Sequence, residues 1–485
     1  MLLQIILTVY MSLSAAHIPQ KDHQNPFYEN YKKYHQQAIS NRRFKHGDLA
    51  PLLQEMKGIE GVTVQKIGES VQGRDISMVS MGTGKTSVLL WSQMHGDEAT
   101  ATMALMDIFN FFSASDALNP YRKIMLDKLT IHFIPMLNPD GAQAFKRRNA
   151  MDIDLNRDAL RLQAPEAQLL KRVRDSLKAD FGFNLHDQNT RYTVGKTNKP
   201  ATISFLAPAY DEQKSVHEGR ENAMQVIADL NNTLQRIIPN QVAKYDDEYE
   251  PRAFGDNMQK WGTSTILIES GGYHNDPEKQ YIRKINFVAI LQGLLSIATQ
   301  SYKNFNTDQY FSIPDNRTYL FDLLVRNAQV AVEGKQYMLD LGINRREQDD
   351  EGSRAFSYVS TLEDIGDLSV FYGYQEIDAR GMTALPGKVY ASVFKNFEAL
   401  EKADLHAILA AGHTTVQLAQ MPAEEYINKL PVNIVKAGTE KAHPVQLYGR
   451  PNFILQENNK VHYAIVNGFI YNVRTRENQI INALD

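Results

Sequence analysis

Apolar and polar positions divide the chain into two regions with different patterns. From residue 62 to residue 301, short apolar runs alternate with stretches in which apolar residues recur at three- and four-residue steps. Short apolar runs are typical of buried strands, and the longer recurrence is typical of amphipathic helices. This alternation predicts an α/β domain with a largely parallel sheet. Strands are predicted at residues 87–92, 129–136, 181–185 and 264–268, and helices at residues 98–112, 164–179, 221–238 and 280–298.

The last third of the chain has a different pattern. Residues 302–314 are polar and show little periodicity, which is typical of a connector. Beyond them, short β-like runs such as residues 323–332 and 461–466 are separated by Gly, Asn and Asp. The pattern predicts a separate, β-rich C-terminal domain over residues 318–485, joined by a linker over residues 304–317.

The first residues form a short apolar run that ends in small residues at Ala16. This pattern predicts a signal peptide over residues 1–16, and a buried N-terminal helix is the alternative because no basic residue precedes the run. Residues 17–61 are then an N-terminal extension or a short prodomain. No later run reaches the roughly 20 uninterrupted apolar residues of a membrane span, so none is predicted.

Composition narrows the chemistry. The 485 residues carry a formal net charge of −4 without a long block of one sign, so nothing favours binding to nucleic acid. The chain has no cysteine, so a metal would be held by histidine and carboxylate. A predicted export signal together with the lack of cysteine indicates a secreted or periplasmic protein.

Polar segments that could form a ligand site follow the predicted strands. Residues 95–98, 138–141, 186–188 and 269–272 each begin at or just beyond the end of an apolar run. In open α/β sheets, ligand sites form outside the carboxyl ends of the strands. We therefore expect these four segments to meet in one crevice.

These segments contain the ligands that a catalytic zinc needs, which are three nitrogen or oxygen donors and an open position for water. His95 and Glu98 are close enough in sequence to bind one ion from a single loop or helical turn, and His186 would complete the set. Glu269 remains as a carboxylate that can take a proton from the metal-activated water. Each element is common by chance, so the prediction depends on their combination.

The order of the motifs resembles the carboxypeptidase A family of zinc metallocarboxypeptidases over residues 62–301, about half of the chain. The matching motifs are His95-x-x-Glu98, Asn138-Pro-Asp-Gly141, Arg148-Asn149, Asp154-Leu-Asn-Arg157, His186 and Glu269. The resemblance implies an α/β/α sandwich around a mixed, mostly parallel sheet. It also implies a zinc carboxypeptidase domain over residues 62–303 that holds one zinc ion.

The resemblance also implies roles for single residues. It assigns zinc binding to His95, Glu98 and His186, and it makes Glu269 the base that later protonates the leaving amine. Arg148 would stabilise the oxyanion that develops on the scissile carbonyl. Because Arg147 is adjacent, this role could belong to either arginine; Arg148 is preferred because it directly precedes Asn149.

The substrate-binding residues are implied less completely. Asn156 and Arg157 would hold the free C-terminal carboxylate of the substrate, a task that suits the planar donor fork of arginine. Family members also use a tyrosine that closes over the substrate. Here the candidates are Tyr245, Tyr249, Phe254 and Asp256. The role stays unassigned, and so does the preferred side chain of the departing residue.

The C-terminal region contains segments that resemble the β-sandwich portions beside the barrel of amidohydrolases. These are residues 375–387, 449–455 and 463–468, and the chain between them is too short for that catalytic barrel. The resemblance implies an accessory domain without an active site of its own.

Together these features predict zinc-dependent hydrolysis of the C-terminal peptide bond of peptides or proteins. Two alternatives remain open. The first is a zinc amidase that acts on cell-wall peptides or N-acyl amino acids, and the second is a catalytically silent peptide-binding protein. The sequence does not indicate the oligomeric state.

Overall fold

A computed structural model describes residues 25–422, 428–438 and 442–484. The predicted signal peptide, residues 1–16, lies outside the described residues. The described chain forms an α/β region followed by a β-rich region, so the predicted fold class is confirmed.

A mixed sheet lies at the centre of the α/β region. Its strand order is β1-β2-β4-β3-β5-β9-β7-β8. Of the seven pairings between these described strands, four are parallel, and they join β4, β3, β5 and β9 in the middle and β7 to β8 at one edge. The four strands predicted from apolar runs are β3, β4, β5 and β9. The strands of this region are Val62–Glu69 (β1), Asp75–Met81 (β2), Thr86–Trp91 (β3), Leu129–Ile134 (β4), Phe181–Asp187 (β5), Tyr192–Val194 (β6), Ile203–Leu206 (β7), Val242–Lys244 (β8) and Ser264–Ser270 (β9).

Helices cover both faces of this sheet. Alternate strand residues point to opposite faces, so Val88 and Leu90 enter one core and Leu89 and Trp91 the other. The first core packs against α1, α2, α3, α4, α7 and α9, and the second against α6 and α8. The predicted α/β/α layering and the four predicted helices are thus confirmed. The helices are Pro26–Asn30 (α1), His46–Glu55 (α2), Thr100–Ser113 (α3), Asn119–Lys128 (α4), Pro139–Ala144 (α5), Pro165–Leu177 (α6), Glu218–Leu234 (α7), Phe254–Lys260 (α8), Gln280–Thr299 (α9) and Thr307–Phe311 (α10).

Helix α9 is a core helix. Among the described residues, it is the helix that is long and apolar enough to cross a membrane, and 78% of its apolar window is buried inside the protein. Its contacts with α3, α4 and α7 explain this burial, because those helices cover it on the same face of the sheet.

The segment before β1 belongs to the same core. Phe27, Tyr31 and Tyr34 are buried among the helices of the first face. Arg283 of α9 is fully buried, pairs with Asp107 at 2.5 Å and donates to a backbone carbonyl of this segment, the Ile39 oxygen, at 2.6 Å. A buried charge needs such partners, so the N-terminal segment helps to stabilise the charge of Arg283 in the core. Its boundary at residue 61 stays a prediction.

The described residues of the β-rich region form two sheets. The larger has the order β22-β21-β20-β19-β15-β11-β12-β13-β23, with β14 paired to β11, and the smaller is a parallel sheet of β16, β17 and β18. The smaller sheet and its two helices were not predicted, and the resemblance of this region to amidohydrolases stays a prediction. The elements are Asn316–Thr318 (β10, paired with β6), Leu320–Val332 (β11), Lys335–Asp349 (β12), Phe356–Gly366 (β13), Tyr372–Asp378 (β14), Thr383–Pro386 (β15), Lys388–Phe394 (β16), Phe397–Glu401 (α11), Leu405–Ala410 (α12), His413–Leu418 (β17), Asn433–Lys436 (β18), Phe453–Glu457 (β19), Lys460–Val466 (β20), Phe469–Asn472 (β21), Glu477–Asn478 (β22) and Ala483–Leu484 (β23).

Arg43 joins the two regions. Its buried guanidinium pairs with Asp349 at 2.6 Å and with Glu347 at 2.9 Å, both on β12. The same guanidinium lies 4.2 Å from the ring centre of Phe145 and 4.0 Å from that of Phe356. One side chain of the N-terminal segment thus contacts the α/β region and the β-rich region at once, which holds the two against each other.

Candidate metal centre and its surroundings

The strand ends bring the predicted ligands together. His186 and Glu269 are direct partners in the parallel pairing of β5 and β9, near the carboxyl ends of both strands. His95 and Glu98 lie between the end of β3 at Trp91 and the start of α3 at Thr100. Because β3 pairs with β5 in parallel, this loop emerges at the same edge of the sheet.

The ligand atoms converge on one point. The Nδ1 atoms of His95 and His186 each lie 2.7 Å from a different carboxylate oxygen of Glu98, and 3.2 Å from each other. One ligand atom from each of the three residues lies within 4.8 Å of the other two, and all three residues are buried.

This group fits a zinc ion. Two imidazole nitrogens and one carboxylate are a donor set of catalytic zinc sites, which use three protein ligands. The Nε2 atom of His95 lies 3.1 Å from Asp154 Oδ1, and a carboxylate on the far ring nitrogen is what usually fixes the orientation of a metal-binding histidine. Because both Nδ1 atoms lie beside the Glu98 carboxylate, all three residues could bind one cation at this point.

The charges within the group are strongly coupled. Burial raises the pKa of Glu98, but the charges of His95 and His186 outweigh it and hold that pKa well below its usual range. Burial lowers the pKa of His95, but the charge of Glu98 and the hydrogen bond to Asp154 outweigh it and raise that pKa to about 9. For His186, burial prevails and lowers the pKa. Glu98 is thus an anion at neutral pH, as a metal ligand must be.

Glu269 lies beside this group. Its Oε2 atom is buried and accepts no hydrogen bond from the described residues. Burial, and then the negative charge of Glu98, raise the pKa of Glu269 well above its usual range. A buried carboxylate with a raised pKa is suited to accept and return a proton.

The two adjacent arginines have different surroundings. Arg147 Nη1 lies 3.1 Å from His95 Nδ1 and donates to Glu98 Oε1 at 3.3 Å, and its Nε donates to Asp154 Oδ2 at 3.0 Å. Arg148 is exposed and donates to the backbone oxygen of Asp152 at 2.7 Å. The structure therefore places Arg147 at the ligand group, where the sequence analysis preferred Arg148.

Asn156 and Arg157 form a 3-10 turn, Leu155–Arg157, directly after Asp154. Asn156 Oδ1 accepts from the backbone nitrogen of Phe254 at 2.8 Å and thereby fixes the start of α8. The Nε of Arg157 lies 3.2 Å from a carboxylate oxygen of Glu250, and 39% of its side chain is exposed. The turn is thus tied to the site through Asp154, while the Arg157 guanidinium already has a carboxylate partner.

Two candidates for the unassigned tyrosine role are groups whose pKa is raised by burial. For Tyr245 the charge of Glu269 adds to the effect of burial on the pKa. Asp256 lies on α8, where burial raises its pKa to about 7. Tyr245 has no role assigned from the sequence, because the stretch from Tyr245 to Asp256 contains no segment that aligns with that of the family.

The chain matches known proteins over part of its length. Residues 53–159 match the family described as zinc carboxypeptidase. Carboxypeptidase SOL1 of Arabidopsis thaliana is 29% identical over 175 residues, which cover 30% of this chain and 35% of that protein. Carboxypeptidase M of Mus musculus is 28% identical over 111 residues, which cover 20% and 25%. A solved metallo-carboxypeptidase from Burkholderia cenocepacia aligns over 53% of this chain and 70% of that chain, with 17% identity and a TM-score of 0.44.

These matches confirm the resemblance that the motifs predicted for the first part of the α/β region. The matched residues include His95, Glu98 and Asp154, whereas His186 and Glu269 lie beyond them. The chain spans between 25% and 35% of the length of these two relatives.

Loss of the Asp154 charge should weaken zinc binding without removing a ligand. We expect Asp154→Asn to lower zinc affinity by about 10–100-fold, because the carboxylate that orients His95 is lost. A competition titration against a chromogenic chelator measures this affinity directly. Asp152→Asn is the matched control, because Asp152 is exposed and its φ of 57° suits asparagine. Equal zinc affinities of the two variants would contradict the orienting role.

Proposed function

We propose, from the match of residues 53–159 to the zinc carboxypeptidase family and from the geometry of the ligand group, that the chain is a zinc-dependent metallocarboxypeptidase. It hydrolyses the last peptide bond of peptides or proteins that carry a free C-terminal carboxylate. The observation that carries the proposal is the buried group of His95, Glu98 and His186, with Glu269 paired in register beside His186.

The roles of the ligand group and of Glu269 follow from their positions. His95, Glu98 and His186 would hold one zinc ion, which when bound would supply a Lewis acid and lower the pKa of water toward about 7. Glu269 accepts a proton from the attacking water and gives it to the leaving amine nitrogen. The buried, unpartnered Oε2 of Glu269 supports this role, since it is free to hold that proton.

Arg147 takes the oxyanion role in this proposal, in place of Arg148. Its Nη1 atom lies within 3.3 Å of two zinc ligands, so its charge faces the point where the carbonyl oxygen develops negative charge. Asp154 accepts from its Nε and holds the guanidinium in this direction.

Asn156 and Arg157 bind the terminal carboxylate of the substrate. Arg157 is now paired with Glu250, which also pairs with Arg252, so a substrate carboxylate would replace Glu250 as its partner. This pairing is also the observation that favours the second candidate function. If Arg157 remained bound to Glu250, the same metal site would act as a zinc amidase on cell-wall peptides or N-acyl amino acids.

The location of the protein is part of the proposal. The apolar start of the chain and its lack of cysteine support a secreted or periplasmic enzyme. A catalytically silent peptide-binding protein would have no need for Glu269, whose burial beside Glu98 destabilises its ionised form.

Glu269→Gln should retain zinc and lose nearly all hydrolysis. Glutamine keeps the shape of the side chain but cannot take a proton from water, so we expect kcat to fall by about 10²–10⁴-fold. Metal analysis and steady-state kinetics on a free-acid peptide measure the two properties separately. Glu60→Gln, an exposed position, is the control. Near-normal turnover in Glu269→Gln would remove Glu269 from the mechanism.

The two arginines can be separated by parallel variants. We expect Arg147→Ala to lower kcat by about 10²–10³-fold, because an oxyanion donor is lost, and Arg148→Ala to stay near the parent rate. Zinc content is measured for both variants, since Arg147 contacts two ligands. A large loss in Arg148→Ala with a normal Arg147→Ala would restore the assignment preferred from the sequence.

Paired free-acid and C-terminally amidated peptides test the carboxypeptidase activity itself. We expect Arg157→Ala to lower kcat/KM on the free acid by about 10–100-fold, which corresponds to a charged hydrogen bond of about 1.5–3 kcal/mol, and to leave the amide unaffected. Arg252→Ala is the matched control, because Arg252 pairs with the same Glu250. Equal hydrolysis of both peptides by the parent enzyme would favour the amidase.

A further inference from the structure

A large cavity begins at Glu98, one of the three candidate zinc ligands, and ends against the β-rich region. Its volume is about 900 Å³, in the upper part of the range for pockets that bury most of a ligand. On the α/β side it is lined by Asp97, Glu98, Asp187 and residues 271–277. On the β-rich side the lining includes Arg346, Tyr374, Gln375, Phe469, Gln479 and Ile481. One wall of the space beside the candidate zinc site is therefore built by the other region.

This wall is fixed in place by direct contacts. The Tyr374 hydroxyl donates to the backbone oxygen of Thr190 at 2.5 Å. A Cβ atom added at Gly272 would lie 2.1 Å from the same hydroxyl oxygen, so the two regions meet here without a gap. Asn316 Nδ2 also donates to Gln188 Oε1 at 3.0 Å, just beyond β5.

The position of the cavity defines which part of a substrate it can hold. Arg147, Asn156 and Arg157 are all described, and none of them lines it. If they face the scissile carbonyl and the terminal carboxylate, the departing residue lies on their side of the zinc group. The substrate residues that precede the scissile bond must then leave on the other side, past Glu98 and Asp187, where the cavity begins.

We propose that this interdomain cavity, which opens beside Glu98 and ends against the β-rich wall, binds the substrate residues that precede the scissile bond. The wall thereby limits the enzyme to short peptides and flexible chain ends. The inference rests on the proposed carboxypeptidase function. Ile481 supports it, because this apolar residue lines the cavity and is 45% exposed. A substrate side chain in the cavity could therefore contact it.

Kinetics on peptides of increasing length test the inference. The zinc-loaded protein is assayed on free-acid peptides that share their last two residues and grow from a blocked dipeptide to an eight-residue peptide. We expect kcat/KM to rise by about tenfold or more as the residues fill the cavity, and then to level off. A flat dependence on length would overturn the cavity as a binding site.

Two matched variants distinguish an effect of the cavity wall from a general effect of substitution. Ile481→Trp fills part of the cavity, so we expect the KM of the longer peptides to rise by about tenfold while the blocked dipeptide is hydrolysed as before. Val332→Trp is the control, because Val332 is 47% exposed and lies outside the cavity lining. An equal loss on the dipeptide, or no loss on any peptide, would overturn the inference.

A protein substrate tests the limit on size. A small folded domain that ends in the same residues should resist cleavage, and the same domain with a flexible Gly/Ser linker before these residues should be cleaved, because only the linker can enter the cavity. Equal cleavage of both would overturn the size limit. If no free-acid peptide is hydrolysed, the proposed function itself fails; hydrolysis without dependence on length, wall or linker removes the inference alone.

Discussion

The parallel pairing of β3, β5 and β9 is the constraint on which the site depends. It places His186 directly opposite Glu269 and brings the loop that carries His95 and Glu98 to the same edge of the sheet. Side chains alternate between the two faces of a strand, so a register shift of one residue would turn His186 or Glu269 to the opposite face. Packing supports this register in β5 and β9, because Phe183 and Leu185 of β5 and Ile266 and Ile268 of β9 all lie in one core.

The two buried carboxylates of the site differ in how well their charges are compensated. Glu98 is satisfied by two imidazoles, whereas Glu269 is buried beside it without a partner among the described residues. A buried, unpaired carboxylate destabilises a protein, so its presence is typical of a functional site rather than of a packing requirement. A bound cation would relieve the repulsion between the two carboxylates, since its charge compensates both.

The β-rich region forms one wall of the cavity beside Glu98. Arg43 holds it to the α/β region through Asp349 and two aromatic rings. Tyr374 closes the contact beside the cavity that leads from Glu98. An accessory domain that only stabilised its neighbour would have no need to form a wall at this position. Its placement brings the β-rich region to the cavity that we propose as the binding site for the substrate residues before the scissile bond.

The sequence by itself determined the central strands, the main helices and the set of candidate ligands, because hydrophobic periodicity is local and each ligand segment directly follows an apolar run. Only the tertiary structure places Arg147, rather than Arg148, beside the ligand group, since neighbouring side chains leave the backbone in different directions. The contact of Arg43 with Asp349 joins residues 306 positions apart, and no local pattern encodes such a long-range contact. For the same reason, the cavity between the two regions exists only in the folded chain.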